Sequence, residues 1–305
     1  MWIALAFLSA ALLGFYDACK KHSLRDNAVI PILFLNTLFC SLFFVPLIAL
    51  SWKGYIPAGS TFHVPSPTWD DHRFIILKAV IVLSSWILGY FAMKNLPLTT
   101  VGPINATRPL MTLVGALLIF GEELNAWQWA GVALGILSFY LMSRSGKKEG
   151  INFSHNKWIY FLVAAAALGA ASGLYDKYLM SPVETGGAGI NKMAVQGWYN
   201  IYQCIMMGMV LLIIWMPQRK RSAAMKWRWS IVFISVFLTL ADFVYFYALT
   251  FPDAMISVVS MVRRGSVLVS FMCGAMLFRE KNLRSKAVDL ALVFLGMACL
   301  WIGTK

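Results

Sequence analysis

The sequence predicts an all-α membrane protein of ten transmembrane helices, arranged as two inverted five-helix repeats. Three observations carry this. Hydrophobic residues make up 60% of the 305-residue chain and charged residues 13%, about half the charged share of ordinary soluble domains. The apolar residues gather in runs of about 20, the length that crosses a hydrocarbon core of about 30 Å as helix. And a series of residues in the first half recurs, in order, in the second.

Taken in order on a hydropathy window of about 19 residues, the first repeat holds spans at Trp2–Cys19, Ala28–Trp52, Phe74–Leu96, Leu98–Gly121 and Ala126–Ser143. The opening run has no basic residue before it and continues unbroken to Cys19, so it reads as an uncleaved first span and not as a signal peptide. The longest connection, Lys53 to Arg73, is rich in Pro, Gly and aromatic residues and is expected to lie along the interface. Residues 1–143 thus form one unit and a polar connection covers 144–157. A second unit fills 158–305, with spans at Trp158–Met180, Met193–Pro217, Trp229–Phe251, Ala254–Phe278 and Ala287–Gly303.

The halves echo each other at nearly constant offset. Gly14-Phe15-Tyr16-Asp17 returns as Gly173-Leu174-Tyr175-Asp176, Pro97 as Pro252, Arg108 as Arg263, and Gly121-Glu122 as Arg279-Glu280. A fixed period is the mark of duplication. Because five is odd, the second copy enters the membrane from the opposite side, and inverted repeats of this kind place binding sites near the midplane where the copies meet.

The Lys closing span one, the Pro break after span three, Gly-Glu-Glu-Leu-Asn at 121–125 and Trp-Ala-Gly-Val-Ala-Leu-Gly-Ile-Leu-Ser at 129–138 resemble the EamA-type repeat of the drug/metabolite transporter superfamily. Phe-Arg-Glu-Lys-Asn-Leu at 278–283 and Ala-Leu-Val-Phe-Leu-Gly-Met at 291–297 follow the same frame more loosely. The resemblance implies a central cavity lined by the third, fourth, eighth and ninth helices with help from the first and sixth. It also implies transport, of a substrate drawn from amino acids, sugars, nucleotide-sugars, phosphorylated metabolites or drugs.

Of 26 Lys and Arg, seventeen fall in the connections after the odd-numbered spans and six on the other side. The positive-inside rule makes the first side cytoplasmic and puts both termini outside. The family resemblance implies both termini inside. The two agree that the termini share a side. The basic stretch Gln218–Arg228, flanked by apolar spans, reads as a headgroup anchor and not as a nucleic-acid patch.

The remaining three cations, Arg108, Arg263 and Arg264, lie at mid-span depth. Arginine at the centre of a membrane helix costs about 2.5–3.5 kcal/mol even on the lenient insertion scale, so it faces a wet cavity or a carboxylate. Two readings follow. In one, the guanidiniums bind a carboxylate or phosphate of the substrate in bidentate fashion. In the other they pair with Asp17, Asp176 and Asp242, of which only Asp242 matches them well in depth. A basic residue in span four and a basic pair in span nine are similar to the arrangement of plastid sugar-phosphate translocators, which favours the anion.

Asn105 shares a helix face with Arg108 and Thr112, and Ser260 with Ser257 and Arg264. Asn105 and Ser260 therefore complete the expected substrate site. Asn36, Gln196, Asn200 and Gln203 lie at membrane depth and read first as interhelical hydrogen bonds. Tyr16 and Tyr175 stand beside the repeated aspartates as anchors or gates, and Asp242, Asp17 and Asp176 are the carboxylates available for proton coupling. Pro103 and Pro109 bracket Arg108 and predict a bend there.

The five cysteines, in apolar runs without a C-x-x-C pair, read as core residues, so no metal or redox site is expected. No G-x-x-x-x-G-K-[ST] loop is present and no cofactor is expected. The sequence therefore points to a secondary transporter of a small polar, anionic metabolite in the cell (inner) membrane, whose partners are its substrate and the bilayer. Export of neutral or zwitterionic amino acids or drugs is the alternative. A multispan enzyme, resting on Asp70-Asp71 with His72 and on Glu122-Glu123, is the reading from another class.

Overall fold

In lipid a backbone must satisfy its own N–H and C=O groups, and an apolar run does so as helix. The computed structural model describes residues 2–108, 111, 125–147, 153, 155–180, 183–220, 223–248, 262–280 and 283–303. Among these the regular structure is entirely helical. The helices are α1 (Trp2–Leu24), α2 (Val29–Trp52), α3 (Trp69–Asn95), α4 (Leu98–Ala106), α5 (Ala126–Lys147), α6 (Lys157–Met180), α7 (Lys192–Val210), α8 (Ser230–Ala248), α9 (Ser266–Leu277) and α10 (Leu283–Gly303). By length and composition α2, α3, α6, α10 and the stretch Lys192–Gln218 that begins with α7 are able to cross a membrane.

Helix ends follow local chemistry. The run expected from Phe74 begins at Trp69, because the Thr68 hydroxyl accepts the Asp71 N–H and the Asp71 carboxylate accepts the Thr68 N–H. Asn125 and Gln128 exchange the same pair of bonds, each 3.0 Å, at the start of α5. α7 passes through a π turn at Leu211–Trp215 before Pro217. The wider turn accommodates a proline that lacks its N–H and would clash with the carbonyl four residues back. The long connection folds over the bundle, with Phe62 stacked on Phe243 of α8 at 5.4 Å.

Helices associate in lipid by close packing and interhelical hydrogen bonds, since burial from water no longer drives them together. α1 packs on α8 and α6 on α3, α2 packs on α7, α4 on α9 and α5 on α10. Replacing each helix by the one five places along exchanges or preserves every one of these pairs. Ser9 donates to the Ala241 carbonyl across α1–α8, and Ser85 to that of Ala165 across α3–α6, both at 2.7 Å. At Gly14 α1 meets α9 so closely that a Cβ would lie 2.4 Å from that of Val269.

Three expectations need correction. α1 continues past Cys19 to Leu24, which moves Asp17 and Lys20 into the helix body. Lys78, read as a connection charge, lies in α3 with its side chain buried. A fourth acid, Asp289, joins Asp17, Asp176 and Asp242 in the helices and is buried on α10.

Candidate functional site

A cavity of about 320 Å³ opens between α1, α3, α4, α8 and the residues leading into α9. α1 supplies Leu13, Tyr16, Asp17 and Lys20, and α3 supplies Ser85, Trp86, Gly89, Tyr90 and Met93. Both sets contain residues three, four and seven apart, the spacing of one helix face. Asn105 and Arg108 come from the fourth segment, Leu238 and Tyr245 from α8, and Arg263, Arg264, Ser266 and Val267 from the ninth.

The arginines stand at helix interruptions. α4 ends at Ala106, and Thr107 turns the chain with its N–H on the Ile104 carbonyl, 3.2 Å. Arg108 follows directly. In the ninth segment Arg263 and Arg264 precede a turn at Gly265, whose N–H donates to the Val262 carbonyl at 2.8 Å. α9 starts only after it. Such breaks free backbone groups for the cavity and place side chains at mid-depth.

Arg108 donates to the Asn105 side-chain oxygen at 3.2 Å. Its guanidinium lies across Gly169 of α6, where a Cβ would sit 3.0 Å from Cζ. Arg263 is ion-paired with Asp242 and its guanidinium lies 4.3 Å from the Tyr245 ring centre, a cation–π contact. Among the described residues no carboxylate stands within 4.0 Å of Arg264. Asp17 pairs with Lys20 at 2.8 Å.

Of the residues singled out from the sequence, Arg108, Arg263, Arg264, Asn105, Asp17 and Tyr16 all line this cavity. Asp17 was expected to lie too shallow to meet the arginines, and the longer α1 removes that mismatch. Asp242 reaches the site through Arg263. Asp176 does not line the cavity: it pairs with Lys78 of α3. Tyr175 is also away from it, its hydroxyl donating to the Phe74 carbonyl at 3.3 Å. Ser260, with Ser257, Pro109, Thr112 and Glu122-Glu123, lies outside the described residues.

Asn36 accepts from Ser235 of α8 at 3.1 Å, and Asn200 donates to the Gln196 carbonyl one turn back at 2.8 Å. Of the acids behind the enzyme reading, the described pair is committed to structure: Asp71 caps α3, and Asp70 makes an exposed pair with Arg73 at 3.3 Å. His72 shares a 2.8 Å hydrogen bond with the Tyr202 hydroxyl. Among the described residues no cluster of His, Cys, Asp and Glu is arranged to hold a metal.

Residues 1–144 match the EamA-like transporter family. An uncharacterized transporter of Archaeoglobus fulgidus is 24% identical over 149 residues, 48% of this chain and 49% of its own length. The match thus spans about half of that relative. A crystal structure 15% identical to this chain superposes with a TM-score of 0.60 over 99% of this chain and 97% of its own, so the two share a fold along nearly their whole lengths. With this match and its apolar helices the chain is an integral, multi-pass membrane protein.

Lys20, Trp86, Tyr90 and Tyr245 were not singled out from the sequence. Lys20 was counted with the connection because span one was closed at Cys19. The spacing of Tyr16, Asp17 and Lys20 on one face was the signal that would have placed it.

Proposed function

We propose that the protein is a secondary transporter of a small anionic metabolite, which it binds at mid-membrane between two inverted repeats and passes across by alternating access. The observation that carries this reading is that Arg108, from the first half, and Arg263 and Arg264, from the second, open onto one cavity. Arginine is poorly tolerated at this depth without a charged or wet counterpart. Asp242 supplies one for Arg263. A carboxylate or phosphate in the cavity supplies one for Arg264 and a bidentate partner for Arg108.

The exchanging helix contacts support the repeat reading. The cell (inner) membrane is the location we propose. Asp242, paired with the half-buried Arg263, and Asp17, paired with the buried Lys20, are the carboxylates placed to answer substrate with a proton. Asp176 would act from the Lys78 pair outside the cavity.

Asp17 in the same cavity favours a second reading, a zwitterionic amino acid with its carboxylate on the arginines and its ammonium on Asp17. Lys20 weighs against it by already holding Asp17 at 2.8 Å. Counterflow in proteoliposomes against phosphorylated sugars, dicarboxylates and amino acids separates the two. We expect uptake of an anion that Arg108→Ala and the double variant Arg263→Ala/Arg264→Ala both abolish, with the folded protein recovered. Normal anion uptake in both variants overturns the site.

A further inference from the structure

Besides the arginines, a second polar group, Tyr16, Asp17, Lys20 and Tyr90 of α1 and α3, lines the cavity. Lys20 is 8% exposed, ion-paired with Asp17, and lies 4.2 Å from the Tyr16 ring centre and 5.2 Å from that of Tyr90. Tyr90 is 1% exposed and lines the cavity, and its hydroxyl, which faces that of Tyr16, completes no well-formed hydrogen bond among the described residues. A buried hydroxyl left without a partner costs stability and is rare in native proteins. It is accounted for when a ligand supplies the partner.

We infer that Lys20 and Tyr90 form a second anion-recognising pole of the substrate site, which Asp17 holds ready in the empty state and releases when substrate binds. This rests on the anion reading above and adds to it a substrate with oxygen acceptors at two ends. The chemistry of the residues fits the role. A lysine is a compact charge on a flexible stem, able to swing from one acceptor to another, where a forked guanidinium would stay with its carboxylate. The two tyrosine rings keep the ammonium in place by cation–π attraction while it changes partner. Asp17 competes with the substrate for the same three N–H donors. Binding therefore costs the Asp17–Lys20 contact and release restores it, so the pair favours unloading over tight capture.

That competition gives the variants opposite signs. The test uses the purified full-length chain, with inorganic phosphate and succinate as probes, reading anion-dependent thermal protection and counterflow side by side. Lys20→Gln is expected to weaken apparent affinity about tenfold, and Tyr90→Phe, which removes only the hydroxyl, about fivefold. Asp17→Asn frees Lys20 and is expected to tighten binding severalfold while slowing turnover. Unchanged affinities in all three variants, with protection still lost in Arg108→Ala, overturn the second pole and leave the anion reading standing. If Asp17→Asn and Lys20→Gln both weaken binding and both lower the melting temperature without ligand, the pair is structural and the inference fails. A wild type protected by neither probe overturns the anion reading and this inference with it.

Discussion

Arg263 and Asp242 show how a residue's surroundings decide what its charge does. The pair is about one-fifth exposed on each side, with Tyr245 against the guanidinium. Removing one member strands the other. Asp242→Asn should therefore destabilise the detergent-solubilised protein by on the order of 3 kcal/mol, and adding Arg263→Gln should recover much of the loss, because the cost lies in the unpaired charge and not in the lost bond. Equal melting temperatures for wild type and Asp242→Asn would refute this. The depth of Arg263 and Asp242 in their spans was legible in the sequence, as was the grouping of Arg108 with Asn105. The Lys78–Asp176 pair was not, because window hydropathy hides one lysine in an apolar run such as Phe74–Leu96, and nothing in a single sequence brings α3 to α6.

At the scale of the element, the break between α3 and α4 is held from both sides by distant residues. Leu96 is extended, as a residue before proline must be, and Pro97 starts α4. The Met93 and Leu96 carbonyls left over at the end of α3 accept from Lys21 of α1 at 2.7 and 2.5 Å. The Leu98 and Thr99 N–H groups at the start of α4 donate to Glu280 at 2.6 and 2.8 Å. A carboxylate here both caps the helix and answers its dipole. Glu280→Ala should cost about 1–2 kcal/mol, read as faster amide hydrogen exchange at Leu98 and Thr99 with α2 unchanged; protection equal to wild type would remove the cap from the account. Proline marked this break in the sequence, whereas Glu280 was visible only as the counterpart of Glu122, with no hint of what it held. The break at Gly265 was missed altogether, because one glycine in an apolar run carries little weight beside hydropathy. Close packing also marks the first copy of the Gly-x-Tyr-Asp motif: Gly14 meets α9, where a Cβ would lie 2.4 Å from that of Val269. Gly14→Ala should lower the melting temperature by several degrees as α1 is pushed from Val269. A melting temperature equal to wild type would mean that α1 and α9 do not meet at Gly14.

For the whole molecule, helical class and multi-pass character were legible from composition, because lipid restricts the backbone so severely, and a few motifs pointed to the family that residues 1–144 match. The net charge of +13 was less transparent. Lys20, Lys78 and Lys286 proved to be buried and belong to no loop: Lys286 is 1% exposed and donates to the Thr99 hydroxyl at 2.8 Å. Taking them out still leaves the connections after odd-numbered spans far more basic than the opposite face. Several contacts bind that basic face across the two halves. Asn27 donates to the Lys226 carbonyl and accepts the Lys226 N–H, both at 2.8 Å, and Arg228 donates to the His22 carbonyl at 2.7 Å. The proposed ten spans put the connection at 218–228 on the side opposite Lys305, and under the positive-inside rule the charge asymmetry assigns that connection to the cytoplasm. Reporter fusions should accordingly read the 218–228 connection as cytoplasmic and Lys305 as external. Both positions on one side would contradict the three crossings between them and with them the inverted repeat. Opposite sides with the basic connection outside would keep the repeat, and would mean that the charges of this face serve the contacts between the halves more than they serve orientation.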